Sequence, residues 1–213
     1  MNKTEIISTV HKCVCAYETN LCNTQVMFVY LNSHNQIDFA EVRFRSHNFL
    51  HFTGLIPRED ISANKFYHLI LNHKLSPNDF VIGQPVNTER KLQILSKIVI
   101  IDQLARMIGN YIGPRLALYT EKIIGTTSAC LGLILRNNYF IPNTILHEDI
   151  RDITQPPIGK IIAIFKMKSS ERNYTQLIYK KKGITLTQAL LPSIVLDKIN
   201  PKFWTTLQNR TFD

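Results

Sequence analysis

Residues 126–152, TTSACLGLILRNNYFIPNTILHEDIRD, carry the clearest structural signal in the chain. An apolar run ends at Arg136, and a second apolar run begins at Tyr139 after two asparagines. This pattern predicts two strands joined by a tight turn. The second strand leads into a polar string that begins at Asn143 and ends at Asp152. Such a string is typical of a functional site at a strand end, but it is also typical of a surface loop, so both interpretations stay open.

The composition is that of a globular protein. Of the 213 residues, 45% are hydrophobic and 19% are charged, so the chain can bury a core as one large domain or as a domain with an N-terminal extension. The formal net charge of +9 favours a polyanionic partner, either nucleic acid or an anionic membrane surface. The basic residues are spread along the chain, apart from the lysines at 180–182.

Three of the four cysteines and one histidine raise the question of a metal site. His11, Cys13, Cys15 and Cys22 lie close together in the sequence, but their spacing matches no common zinc pattern. No leader segment is recognisable, and the longest apolar run is much shorter than a membrane span. We therefore expect a cytoplasmic protein with reduced thiols, no zinc, no disulfide, no cofactor and no membrane association.

Apolar periodicity predicts the elements of the first half. Helices are expected at residues 4–18 and 63–73, and strands are expected at 25–31 and from 37 onward. In the segment 49–55, His51 lies three residues before Gly54, and we predict that this histidine is at the end of a strand. A long helix at 89–108 should begin after Thr88, with Asp102 and Arg106 paired on its surface.

The second half is predicted to be mostly strands. We expect them at 115–124, 130–135, 138–141, 160–167 and 174–179, all in one antiparallel sheet with the long helix on one face. A last helix at 186–199 should be kinked or divided at Pro192.

Three motifs and the order of these elements give the chain a resemblance to a known family. FLHFTGL at 49–55, LYTEKIIG at 118–125 and YFIPNTILHEDIRDIT at 139–154 carry it. Together they resemble the phage- and mobile-element-associated nuclease-like domains of the barnase, EndoU, colicin and RelE superfamily. The resemblance covers residues 48–182. It implies an α+β fold in which helices precede a four-stranded antiparallel sheet. Residues 1–47 would be an extension made of a helix and a β-hairpin, and 183–213 would be a C-terminal helix and tail.

The resemblance also implies RNA cleavage without a metal ion, although the catalytic groups vary among family members. Such cleavage uses the ribose 2′-OH as nucleophile and leaves a 2′,3′-cyclic phosphate. It needs an acid–base group and cations near the phosphate. His51 is the best acid–base candidate, although a histidine with apolar neighbours is also commonly a packing residue. Lys122 and Arg151 are the best cations, and we predict that they meet His51 at one anion-binding site.

Other polar residues are candidates for substrate binding. Thr53, Thr120, Ser128 and Asn143 are expected to orient the phosphate or the ribose. Tyr119 is expected to stack on a base, although tyrosines in strands are more commonly packing residues. An acidic residue repels phosphate, so Asp149 would orient a cation or act as a base.

Three functions stay open from the sequence. An endoribonuclease, toxin-like or phage-associated, is favoured, with RNA as the partner and an immunity or antitoxin protein as a possible second partner. The second function is a non-catalytic module that binds nucleic acid or protein on the same fold. The third is an enzyme acting on another small substrate. Convergence of acid–base and cationic groups in one cleft would favour the first.

Overall fold

The computed structural model describes residues 1–113 and 120–208. Eight helices lie within these ranges: α1 Lys3–Asn20, α2 Asn48–Thr53, α3 Ala63–Leu71, α4 Pro85–Ile98, α5 Ile101–Leu104, α6 Ile150–Ile153, α7 Ser193–Leu196 and α8 Pro201–Gln208. Ten strands lie there as well: β1 Thr24–Leu31, β2 Ile37–Phe44, β3 Leu55–Pro57, β4 Phe80–Ile82, β5 Met107–Asn110, β6 Lys122–Gly125, β7 Cys130–Arg136, β8 Tyr139–Leu146, β9 Gly159–Lys168 and β10 Gln176–Lys180. No helix in the described part of the chain is long and apolar enough to cross a membrane.

Helix α1 forms where the periodicity predicted it. Asn2 begins the helix with a capping box, because its side chain accepts the backbone N–H of Glu5 while the Glu5 carboxylate accepts the backbone N–H of Asn2. Val10, Val14 and Tyr17 follow at helical spacing and are buried. They pack in the same hydrophobic cluster as the other large helices and one face of the sheet.

The main sheet has eight strands in the order β1-β2-β8-β7-β6-β5-β9-β10. Because β1 also pairs with β9 along its length, seven of these strands close into a barrel, which β10 flanks. The barrel is mixed, since β2 and β8 run parallel at Val42 and Phe140. The prediction of a four-stranded antiparallel sheet was therefore wrong. The hairpin of β1 and β2 is part of this sheet rather than an extension. It lies between β8 and β9, because β2 pairs with β8 and β1 pairs with β9.

Strand β1 is buried on both of its faces. Val26, Phe28 and Tyr30 lie in the cluster that includes the helices, whereas Met27 and Val29 pack under the C-terminal segment. Burial on both faces explains why β1 reads as a continuous apolar run without alternation. The C-terminal segment, with α7 and α8, therefore forms a second layer outside the barrel.

The β7–β8 hairpin confirms the turn predicted at the centre of the opening stretch. Asn137 and Asn138 have φ values of 47° and 67°, and Arg136 pairs with Tyr139. Positive φ at both central residues is the type I′ turn, whose twist matches that of the two strands.

Some predicted boundaries were wrong. The long helix at 89–108 is divided into α4, α5 and strand β5, because the chain leaves helical geometry at Ile100, where φ is −127°. The helix begins earlier than predicted, with Pro85 in its first turn. Residues 49–53 form helix α2 rather than a strand end. The first half of the strand predicted at 115–124 lies outside the described residues, and its last part is in β6.

Candidate active site

Helices α2 and α4, the small β3–β4 sheet and strand β8 together enclose a surface groove of about 550 Å³. We call it the helix–strand groove. Its wall is apolar along β3, and polar side chains converge at its other side: His51, Gln84, Asn87, Lys91, Asn143 and Thr144.

Helix geometry turns His51 toward this groove. Phe49 and Phe52 are fully buried on the inner side of α2, so His51 between them is exposed. Asn48 fixes the start of the helix, since its side-chain oxygen accepts the backbone N–H of Arg45 at 2.7 Å. The Asn48 amide also donates to the Pro142 carbonyl at 3.4 Å, which ties α2 to β8.

Lys91 on α4 reaches across to α2. Its ammonium donates a hydrogen bond to the backbone carbonyl of His51 at 2.9 Å. Desolvation lowers the pKa of Lys91 to about 8. Desolvation also lowers the pKa of His51, and the positive charges of Lys91 and His47 add to this effect. The groove therefore holds an imidazole that is neutral near pH 7 beside an amine that is still protonated.

Two further contacts hold α4 in place. The Thr88 hydroxyl donates to the Gly54 carbonyl at 2.9 Å, which joins α4 to the end of α2. The Arg90 guanidinium donates to the His147 carbonyl at 3.0 Å and to the Glu148 carboxylate at 2.9 Å, which joins α4 to the chain after β8. Helices α2 and α4 and the β8 segment are thus fixed to one another by hydrogen bonds.

Gly54 allows α2 and α4 to approach closely. It ends α2 in the left-handed region at φ 72°, and a Cβ there would lie 3.1 Å from the Thr88 Cα. We expect Gly54→Ala to lower the free energy of unfolding by about 2–3 kcal/mol, through backbone strain and this steric conflict. Urea unfolding monitored by circular dichroism measures the change.

Gly183→Ala is the matched control. Gly183 also has a positive φ of 80°, but a Cβ there would meet no atom within 4 Å. It should lose only the strain component, about 1–2 kcal/mol. Equal losses at the two positions would show that the contact with Thr88 contributes nothing.

A β-bulge presents Asn143 to the groove. The register of β7 and β8 shifts here, because Gly132 pairs with Thr144 whereas Leu133 pairs with Pro142, which leaves Asn143 as the extra residue. The Asn143 side-chain oxygen accepts the Thr120 hydroxyl at 3.3 Å. Two residues predicted to bind substrate, Thr120 and Asn143, are therefore in contact.

Lys122 lies in a different cavity. This space of about 600 Å³ is at one mouth of the barrel and includes Tyr30, His34 and Asn110 in its lining. The Lys122 ammonium donates to the Asn110 side-chain oxygen at 3.1 Å, and desolvation lowers its pKa. Asp38 accepts the Tyr30 hydroxyl at 2.8 Å beside it. We call this space the barrel-mouth cavity.

Arg151 is engaged by Asp149. Asp149 caps α6, accepting the Arg151 backbone N–H at 2.9 Å, and also accepts its guanidinium at 2.6 Å. This pairing holds the pKa of Asp149 below its usual range. The structure therefore does not bring His51, Lys122 and Arg151 together at one site: the first lines the groove, the second lines the barrel-mouth cavity, and the third is paired at the surface.

The remaining predicted residues have varied surroundings. Thr53 is fully buried, and its hydroxyl donates to the Leu50 carbonyl at 2.9 Å. The Ser128 hydroxyl accepts the Lys97 ammonium at 3.0 Å. Tyr119 lies outside the described residues. In the described ranges no three His, Cys, Asp or Glu side chains are grouped as a metal ion requires.

Sequence reasoning missed Lys91, although a signal for it was present. Thr88, Lys91 and Leu95 follow one another at three- and four-residue steps, so they share the inner side of α4. A lysine on the inner side of an amphipathic helix places its ammonium near a neighbouring element. Functional cations are often held in such partly buried positions.

Comparison with known families agrees with the motifs. A family model, described as PBECR4, phage-Barnase-EndoU-ColicinE5/D-RelE like nuclease4, matches residues 9–183. The chain belongs to this family. This confirms the resemblance predicted from the three motifs, and it makes the protein a nuclease of this type with nucleic acid as its substrate class. Neither curated proteins nor solved structures gave a match. The matched range includes α2, α4 and β8, so the whole helix–strand groove lies within the nuclease region.

Proposed function

We propose that this nuclease is a metal-independent endoribonuclease whose active site is the helix–strand groove. The observation that carries the proposal is the hydrogen bond from the Lys91 ammonium to the His51 carbonyl, which holds a cation beside an imidazole in an open groove. RNA supplies its own nucleophile, so such an enzyme needs only an acid–base pair and a positive charge near the phosphate.

The roles follow from the charge states. Neutral His51 accepts the proton of the ribose 2′-OH, and the 2′-oxygen attacks the adjacent phosphorus. The bond from phosphorus to the 5′-oxygen breaks, which leaves a 2′,3′-cyclic phosphate and a 5′-hydroxyl. Lys91 stabilises the charge on the phosphate and donates the proton that the leaving 5′-oxygen requires. A lysine with a pKa of about 8 is a stronger acid than an exposed lysine. We assign the orientation of the ribose or the phosphate to Asn143, which lines the same groove.

Cleavage of a mixed-sequence RNA in EDTA tests the reaction type. We expect RNA to be cut to products with 2′,3′-cyclic phosphate ends, which mass spectrometry identifies. A DNA strand of the same sequence is the control and should stay intact, because it lacks the 2′-OH. Loss of RNA cleavage in EDTA, or equal cutting of DNA, would contradict this mechanism.

The rate should depend on pH as a bell-shaped curve. The acidic limb follows His51, whose lowered pKa places deprotonation below about pH 6.5, so the rate rises as pH rises through that region. The alkaline limb follows Lys91, so the rate falls as pH rises beyond about 8. Single-turnover cleavage rates between about pH 5 and 10 measure both limbs.

Lys91→Arg separates the two limbs. A guanidinium keeps its charge throughout this range but does not release a proton. Because the arginine cannot protonate the leaving 5′-oxygen, the variant should cleave more slowly than the wild type, and the fall in rate near pH 8 should disappear. If the alkaline limb is unchanged in Lys91→Arg, another group is responsible and the role assigned to Lys91 is incorrect.

A further inference from the structure

A third pocket, of about 260 Å³, lies between the outer face of the barrel and the C-terminal layer. Four cationic side chains line it: Arg43, Arg45, Arg172 and Lys198. Two carboxylates, Glu41 and Glu171, line it as well, so the cations are in excess. We call it the arginine pocket. It shares none of its lining residues with the helix–strand groove.

The carboxylate at the base of this pocket is already satisfied. One Glu41 oxygen accepts the Tyr174 hydroxyl at 2.8 Å and the Gln25 amide at 3.0 Å. The other oxygen accepts the Lys198 ammonium at 2.9 Å. Glu41 is only 7% exposed. Lys198 thus neutralises the charge of Glu41, and two neutral donors satisfy its other oxygen. Glu41 is therefore not an ion-pair partner of the arginines.

Arg43 is held rigidly with its terminal nitrogens unused. Its Nε donates to the Gln25 side-chain oxygen at 2.9 Å, and its guanidinium carbon lies 3.2 Å from the centre of the Tyr139 ring. Among the described residues, no hydrogen bond or ion pair engages its two terminal NH₂ groups. A planar guanidinium fixed in this way is prepared to bind two oxygens of one anion.

Ser169 lines the same pocket, and the described part of the protein does not satisfy its hydroxyl. Its hydroxyl oxygen is buried and has no hydrogen-bond partner in the described structure. Arg45 and Arg172 line the same pocket with exposed side chains and make no ion pair with described residues. Three arginines without carboxylate partners among the described residues therefore line a pocket in which only Glu41 and Glu171 are acidic, and Glu41 is already paired with Lys198.

We propose that the arginine pocket binds a phosphate group. The donors suit an anion with several oxygens, because Arg43 can donate in parallel to two of them while Arg45 and Arg172 add positive charge around the others. The phosphate has two possible sources with the same chemistry: a free phosphorylated compound or the backbone of a nucleic-acid strand. The pocket is separate from the groove, since neither His51 nor Lys91 lines it.

Isothermal titration with inorganic phosphate tests the site directly. Wild-type protein should bind one equivalent. Arg172→Ala should weaken binding at least tenfold, and because its side chain is exposed this change should leave the fold intact. Arg43→Lys keeps the charge but removes the planar fork, so it should also weaken binding at least tenfold. Thermal melting of each variant verifies that it is folded.

Two control variants define the location. Arg58→Ala removes the same charge from an exposed pair with Asp60, outside the pocket, and should bind phosphate as the wild type does. Lys91→Ala alters the helix–strand groove, so any phosphate binding that this variant loses belongs to the groove and not to the arginine pocket. Absence of phosphate binding by the wild type, or loss of it in Lys91→Ala with retention in Arg172→Ala and Arg43→Lys, would overturn the proposal.

Competition identifies the source of the phosphate. A nucleoside 5′-monophosphate that displaces inorganic phosphate, where the unphosphorylated nucleoside does not, assigns the pocket to free or terminal phosphate. Displacement by a DNA oligonucleotide without terminal phosphates assigns it to the nucleic-acid backbone. If neither competes, the site binds inorganic phosphate alone and the assignment to phosphorylated ligands is overturned.

Discussion

His51→Ala is expected to slow RNA cleavage about a hundredfold or more while changing RNA affinity only a few-fold. A positioned acid–base group contributes this much to the transition state, whereas a neutral imidazole adds little to the binding of a phosphate. His51 is exposed, so its loss should not change the free energy of unfolding measurably. Single-turnover cleavage, fluorescence anisotropy with a non-cleavable RNA analogue, and urea unfolding measure the three quantities.

His34→Ala is the matched control, because His34 lines the barrel-mouth cavity with Lys122. If the groove is the active site, His34→Ala should cleave at close to the wild-type rate. The opposite result, a large loss in His34→Ala and a small loss in His51→Ala, would move the active site to the barrel-mouth cavity and return Lys122 to the catalytic role predicted from the sequence. Intact RNA with wild-type protein that binds it would favour the non-catalytic binding module.

The sequence predicted local structure well where one signal dominated. The apolar spacing of α1 predicted its position, and the two asparagines at 137 and 138 predicted the turn of the β7–β8 hairpin. These features depend on neighbours within a few residues. The pairing of β1 with β9 joins residues more than a hundred positions apart, such as Val29 and Ala163, and period-two alternation carries no information about such partners.

The same difference between local and long-range information explains why only part of the candidate site was predicted. His51 and Asn143 were singled out by residue type and local context, and both line the groove. Their catalytic and binding roles remain predictions. Lys91 was missed because the helical spacing that places it beside Thr88 does not show that α4 packs against α2, and its proposed role depends on that contact. Arg151 was chosen as a free cation, but Asp149, two residues earlier, occupies its guanidinium.

Asp102 shows how a local rule can fail outright. The spacing of Asp102 and Arg106 predicted an exposed pair on one helix face. Asp102 is instead fully buried in α5 and bonds to the Lys166 ammonium on β9 at 2.7 Å. Arg106 lies beyond the helix and stacks over the Tyr179 ring at 3.8 Å. Because the helix ends at Leu104, the i, i+4 geometry that the prediction assumed does not exist.

This buried pair leads to the largest stability change that we expect. Lys166→Met should lower the free energy of unfolding by about 3–5 kcal/mol at pH 7, because it leaves the Asp102 carboxylate buried without a counter-charge. The Lys166 ammonium also donates to the Asn20 carbonyl at the end of α1, and the second Asp102 oxygen has no partner among the described residues. Urea unfolding at fixed pH measures the loss.

The pH dependence of that loss tests its cause. Burial raises the pKa of Asp102 in the folded protein, and Lys166 opposes this rise. Without Lys166 the folded-state pKa rises further, so the folded variant binds a proton more readily than the unfolded chain. Its stability is then retained below the ordinary carboxyl pKa of about 3.9 and is lost as pH rises through the folded pKa. The difference between Lys166→Met and wild type should therefore be smaller at about pH 4 than at pH 7.

The double variant Asp102→Leu/Lys166→Met separates charge from packing. Replacing both partners of a buried pair by apolar side chains of similar volume is often neutral or stabilising, so the double variant should recover most of the stability lost in Lys166→Met. If the double variant is as unstable as the single one, or if the loss in Lys166→Met is the same at pH 4 and pH 7, the lysine stabilises β9 by packing its aliphatic chain. The contact between α5 and β9 would then be independent of the carboxylate charge.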